Sequence, residues 1–282
     1  MGRDIPALCL KAANPVRIGF PWGATKMGVN SVLIRRSASD SRYEELVAHA
    51  VKSLLAARVF SKPYPHISFD KFWPEDFYRE LLAKKPEPTN YVQLNRENTR
   101  RQFTMFDGSC DAGDDERRRL WKLVSDVLAS AEIEAALRQI LDEGFRLREK
   151  GSHEGWPVKM YPRPVAYLDF DGYAIKPHPD TRRKVLTMLV YMPEDDSQVD
   201  LGTTLYKISP LGVFHWKTYG LVEEKTMPFL PNSGAAFVVI HPRYNLLRSS
   251  WHGRAAIKTD PEKPRFSLLN AYYAQPVTEA AY

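Results

Sequence analysis

The stretch whose reading decides the fold is IKPHPDTRRKVLTMLVYMP, Ile175 to Pro193. It sets His178 and Asp180 two residues apart, follows them with Arg182, Arg183 and Lys184, and then runs almost unbroken through apolar residues. The apolar run has the length and the Val, Leu and Tyr content of a buried strand. The polar segment before it is either a turn or half of a metal site. If Lys176 to Asp180 is extended, side chains alternate faces, so His178 and Asp180 project to one side, where both can hold one ion.

The texture of the chain changes around this stretch. Residues 1 to about 38 show no period. From Ser39 to Phe60 the pattern is helical, with Asp40 or Ser41 as cap and Leu46, Val51, Leu54 and Leu55 as the apolar face. Pro65 to Phe69 reads as a short strand, and Pro74-Glu75-Asp76 opens a second helix that ends before Pro86. Two more helices are expected, from about Asp115 to Ser130 and from Ala131 to Lys150. After Gly151 come VAYLDF, YAIKPHP, KVLTMLVYM, GTTLYKI, AAFVVI, NLLRSSW and RFSLLNAYYA, short segments rich in β-branched and aromatic residues.

Helices followed by many strands argue against a doubly wound sheet. They favour an α+β fold with a β-sandwich or barrel and the helices packed outside. The organisation expected is an N-terminal extension and helix over 1–60, a strand with helical support over 61–150, and a barrel over 151–282, with 61–282 as one domain. Ser209 to Ser233 reads as a long loop and a candidate lid.

Composition narrows the function classes. At 282 residues and 44% hydrophobic the chain can bury a full core, and no apolar run is long enough to cross a bilayer. The first residues lack the continuous apolar centre of a secretory signal. Cys9 and Cys110 show no pairing or metal pattern, so a cytoplasmic setting is expected. The net charge of +6 comes from scattered basic clusters without aromatic interleaving, which argues against nucleic acid and favours an anionic small molecule.

Among the seven histidines, only His178 begins a His-x-Asp or His-x-Glu triplet. Two protein ligands call for a third to complete the facial triad of non-haem iron, which leaves coordination positions open. His252, followed by Gly253, is the best third ligand; His241 competes but sits in what reads as a surface turn, and His215 lies in the long loop. Arg265 and Ser267 then open the last strand with the same two-residue spacing. A guanidinium in an apolar barrel needs an anion, and the far carboxylate of a dicarboxylate cosubstrate would supply one.

In that order, His178-x-Asp180, His252, Arg265-x-Ser267, the chain resembles the Fe(II)/2-oxoglutarate-dependent oxygenase superfamily. PYPHISFDKFWPEDFYRELL and LGTTLYKI resemble segments of the same superfamily, and the resemblance covers about residues 60 to 276. It implies a double-stranded β-helix (jelly-roll, cupin-like) core, with Fe(II) on His178, Asp180 and His252. It further implies 2-oxoglutarate on Arg265 and Ser267, dioxygen as the second cosubstrate, and hydroxylation of an unactivated C–H bond. Asp180 departs from the halogenase pattern, which has Gly or Ala at that place, so hydroxylation is favoured.

Further candidates are weaker. Tyr167 and Tyr206 are candidates for cosubstrate binding, although barrel tyrosines more often pack. Arg182, Arg254 and Trp216 are candidates for substrate binding, against solvated-turn and packed-loop alternatives. A protein side-chain hydroxylase and a non-catalytic jelly-roll binding module remain the competing readings of the whole chain.

Overall fold

Helices lead and strands follow, as the change of texture after Gly151 predicts. The computed structural model describes residues 38–106, 108, 115–152, 157–209 and 220–276. Helix α1 (Ala38–Leu55) precedes strands β1 (Arg58–Phe60) and β2 (His66–Asp70), then helix α2 (Glu75–Ala83) and strands β3 (Val92–Gln93) and β4 (Arg100–Thr104). Helices α3 (Glu116–Leu128), α4 (Ala131–Ile140) and α5 (Asp142–Ser152) come next. The remaining strands are β5 (Tyr161–Asp169), β6 (Ile175–His178), β7 (Lys184–Tyr191), β8 (Thr204–Ile208), β9 (Leu221–Thr226), β10 (Ser233–Val238), β11 (His252–Arg254) and β12 (Arg265–Tyr273).

The last eight strands pair from the outside inward, always antiparallel. β5 pairs with β12, β6 with β11, β7 with β10, and β8 with β9. That nesting winds the chain into a jelly roll of two sheets, one ordered β10-β7-β12-β5 and the other β6-β11-β8-β9. The helical half adds β2 and β1 to one side of the larger sheet, and β4 and β3 to the other. The fold is the α+β jelly roll expected.

The larger sheet is buried on both faces, which explains why β7 reads as a continuous apolar run. On β7, Leu186, Met188 and Val190 join the core shared with the helices, as do Phe266, Leu268 and Tyr272 on β12. Alternation turns Thr187 and Leu189 on β7, and Arg265, Ser267 and Leu269 on β12, into the barrel interior, where they line one cleft. Trp73 just before α2, Trp121 on α3 and Phe145 on α5 pack in the helix-side core, a fully buried Phe-sized side chain contributing on the order of 1.5–3 kcal/mol. This packing makes the interior face a rigid platform.

Asp115 caps α3 through the amide of Arg117, and Ser130 caps α4 through that of Ile133. Several expectations are corrected. The helix expected over Ala131–Lys150 is two, broken at the buried Leu141; Asp142 opens the second, and Gly144 lets it lie against Val238, where a Cβ would sit 3.0 Å away. On α1 the buried face is Leu46, Val47, Ala50 and Leu54, while Leu55 is exposed. NLLRSSW is not a strand: Asn245 accepts from the amide of Arg248 and Ser249 donates to Leu246, folding a turn that leaves Leu246 and Leu247 exposed. The span from Ser209 to Ser233 contains strand β9, paired with β8, so it is not one long loop.

Candidate metal centre

His178 closes β6 and His252 opens β11, and these two strands pair so that the two residues face each other across the smaller sheet. Asp180 reaches them differently from the expectation. β6 ends at His178, and Asp180 has turned into the left-handed region with φ 58°, which Asp tolerates better than most residues. The strained turn is held by its side chain: the Thr187 hydroxyl donates to one carboxylate oxygen at 3.0 Å, and the Lys184 ammonium lies 3.2 and 3.1 Å from the two oxygens.

One donor atom from each of His178, Asp180 and His252 falls within 4.8 Å of the others. The Nδ1 of His178 donates to the carbonyl of Lys176 at 3.0 Å, and the Nδ1 of His252 to that of Ser250 at 2.9 Å. Those bonds fix both tautomers and leave each Nε2 lone pair aimed inward, 3.6 Å from the Asp180 carboxylate. Burial pushes the His252 imidazole down to about 4, against the pull of Asp180, so it is neutral and ready to ligate at ordinary pH. Burial opposes the charge on Asp180, but Lys184 first, then His252 and His178, hold its carboxyl well below the usual range. Two imidazoles and a carboxylate fit a divalent transition metal with open positions.

Gly253, between His252 and Arg254, is required by close approach. A Cβ there would meet the Ile175 carbonyl oxygen at 2.8 Å and the Pro177 nitrogen at 3.0 Å. Only glycine lets β11 lie this close to β6 at their register shift.

The other end of the same cleft is cationic. Arg100, Asp169 and Arg265 stand opposite one another across three adjacent strands, β4, β5 and β12. Asp169 is fully buried and receives a bidentate grip from Arg100, Nε at 2.6 Å and Nη2 at 3.0 Å, and a bond from Arg265 Nη1 at 2.8 Å. Arg265 also donates to Ser267 and, through Nε, to the carbonyl of Leu201, leaving Nη2 without a partner among the described residues. Arg254 donates to the same Leu201 carbonyl and to the Thr203 hydroxyl. Burial, then the neighbouring Arg265 charge, push the Arg254 guanidinium down to about 9, which keeps it charged at neutral pH. Arg100 lies 4.1 Å from the ring centres of both Tyr167 and Tyr173.

Leu189 and Leu269, paired on β7 and β12, run between the ends, Ile175 lies beside Arg254, and the cleft is open to solvent. The result is a bipolar site, with the candidate metal ligands at one pole, guanidiniums and hydroxyls at the other, and apolar side chains between them.

No family profile and no curated protein matches this chain. Solved structures are similar at low identity. A prolyl-4-hydroxylase from Pseudomonas putida is 15% identical, with 82% of this chain and 99% of that chain covered at a TM-score of 0.46. A 2OG-Fe(II) oxygenase family oxidoreductase from Burkholderia pseudomallei is 7% identical, covering 83% and 90% at 0.44. HygX from Streptomyces hygroscopicus, solved with nickel, 2-oxoglutarate and hygromycin B, is 7% identical, covering 74% and 82% at 0.44.

Of the residues singled out in the sequence, His178, Asp180, His252, Arg254, Arg265, Ser267 and Tyr167 line this one cleft. Tyr206 does not: it packs with Leu221 and Trp251, and its hydroxyl points to Glu223, because β8 turns that position away from the cleft. Arg182 is exposed at the turn before β7 and meets the interior only through its carbonyl, which accepts from Arg148. His241 sits in the surface turn expected, its Nδ1 accepting from the amide of Arg243. Trp216 lies outside the described residues.

Arg100, Asp169, Lys184, Thr187 and Thr203 complete the site. Asp169 also corrects the reason given for an anion at Arg265, since the buried guanidinium already has an internal partner. The case for an anion rests instead on a surplus, three guanidiniums to one carboxylate at this pole.

Proposed function

We propose that this chain is an Fe(II)- and 2-oxoglutarate-dependent oxygenase that hydroxylates an unactivated C–H bond of a small molecule, an anionic one being favoured. The observation that carries the reading is the bipolar cleft: a two-His, one-carboxylate triad faces a guanidinium pole across an apolar belt. A five-carbon oxo-diacid has that pattern in reverse, with a chelating keto acid, a methylene middle and a free carboxylate.

Each residue has a defined task. The Nε2 atoms of His178 and His252 and the carboxylate of Asp180 would hold Fe(II). Arg265, through an Nη2 that has no partner among the described residues, and Ser267 receive the far carboxylate, with Tyr167 beside them. Leu189, Leu269 and Ile175 exclude water from the methylene segment. When bound, the iron with 2-oxoglutarate and dioxygen supplies an oxidant strong enough for an unactivated C–H bond, with succinate and carbon dioxide as co-products. A binding module has no use for both poles together, which supports the catalytic reading.

The test is oxygen-dependent conversion of 2-oxoglutarate to succinate by the Fe(II)-loaded protein, across a panel of small anions and neutral analogues. Stimulated succinate release with a matching hydroxylated product is expected. Absence of any 2-oxoglutarate binding or turnover with Fe(II) present would overturn the proposal.

A further inference from the structure

Among the described residues Arg254 has no ion-pair partner of its own. It lies two residues beyond His252, buried in the cleft, and shares one acceptor, the Leu201 carbonyl, with Arg265. Two guanidiniums donating to one oxygen stand side by side, and like charges so placed in a low-dielectric interior are costly without an anion. The carboxylate nearby makes no bond to Arg254: Asp169 accepts from Arg100 through both oxygens and from Arg265 Nη1 through one of them. Among the described residues the only other acceptor on Arg254 is the neutral Thr203 hydroxyl, at 3.4 Å.

We infer that Arg254 joins Arg265 in binding the far carboxylate of the oxo-diacid cosubstrate, forming a two-arginine clamp. The inference rests on the cosubstrate reading above and deepens it; it assigns Arg254 to the cosubstrate, not to the substrate. Its physical basis is the shared carbonyl. Leu201 fixes the two guanidiniums at one spacing, and an anion set against both replaces their repulsion with two charge-assisted contacts. Lys184 and Asp180 lie at the opposite pole and take no part.

The clamp predicts selectivity for the second negative charge, which is readable without turnover. Mn(II)-loaded protein is titrated anaerobically by calorimetry with 2-oxoglutarate and with 2-oxopentanoate, which has the same chain length but lacks the far carboxylate. Wild-type protein is expected to prefer 2-oxoglutarate strongly. Arg254→Gln, which keeps donors for Leu201 and Thr203, should shrink that preference by tenfold or more, while binding of 2-oxopentanoate stays within about threefold, since a hydrogen bond to a charged group contributes roughly 1.5–3 kcal/mol. Arg254→Lys, which retains the charge, should restore part of the preference. A preference left intact in Arg254→Gln overturns the clamp and leaves the cosubstrate reading standing. Wild-type protein that binds neither oxoacid overturns that reading itself.

Discussion

The two poles of the cleft are built by different means. At the metal pole, two ligands come from one short segment, His178 and Asp180, and the third stands on the strand paired beside it. At the anion pole, Arg100, Asp169 and Arg265 meet only because three strands far apart in sequence lie in register. The metal pole needs one unusual backbone conformation, at Asp180, and one missing Cβ, at Gly253. The anion pole has a close approach of its own, at Gly202 between Leu201 and Thr203, where a Cβ would run into the Met227 carbonyl, but its distinctive cost is electrostatic, a surplus of buried positive charge. The metal pole should therefore respond most to small changes of shape, and the anion pole to changes of charge.

Asp169→Asn is the largest expected perturbation. It leaves the Arg265 and Arg100 charges without their carboxylate, and breaking a buried pair in this way costs roughly 3–5 kcal/mol. Urea unfolding should show that loss, partly recovered when 2-oxoglutarate is added with Mn(II). Recovery by 2-oxopentanoate to the same degree would contradict a charge-based account.

Gly253→Ala tests the opposite pole by shape alone. Overpacking against Ile175 and Pro177 is expected to destabilise by about 1–3 kcal/mol and to weaken Mn(II) binding, because His252 must move away from His178. Unchanged metal affinity would show that the close approach does not position the ligand.

Lys184→Met removes an ammonium that shares the Asp180 carboxylate with a metal, while the Thr187 hydroxyl still holds that carboxylate in place. Mn(II) affinity measured by calorimetry should rise roughly three- to tenfold, because a neighbouring positive charge is gone from an anionic ligand. A fall would mean that Lys184 is needed to orient the carboxylate. The smallest effects belong to Arg182→Ala and Tyr206→Phe, both expected within about twofold of wild type for metal and 2-oxoglutarate binding, since neither side chain reaches the cleft.

The same contrast explains what could be read in the sequence. The candidate metal ligands were legible because their residue types are rare and their order along the chain is specific. Arg265 and Ser267 were legible by their place on the strand after His252. Arg100 and Asp169 carry no local signal: each is an ordinary charged residue on a strand, and only the β4-β5-β12 register brings them together. Lys184 was legible only as part of a basic run with Arg182 and Arg183. Strict alternation along β7 would even turn it away with Leu186, but a register shift between Tyr272 and Tyr273, opposite Lys184, breaks the alternation. The order of helices and strands led to a β-sandwich or barrel with helices outside, and the jelly roll came only with the family resemblance, whereas β9 went unread because Leu221–Thr226 carries three charged or polar exposed positions and pairs only at a sheet edge.

The most direct test of the central claim is optical. Fe(II) and 2-oxoglutarate added together without oxygen should give the weak visible charge-transfer band of the chelated oxoacid in wild-type protein, and Asp180→Ala should lose most of it. A wild-type protein that shows no band while both components are present in excess, or an Asp180→Ala variant whose band matches wild type, would contradict the account.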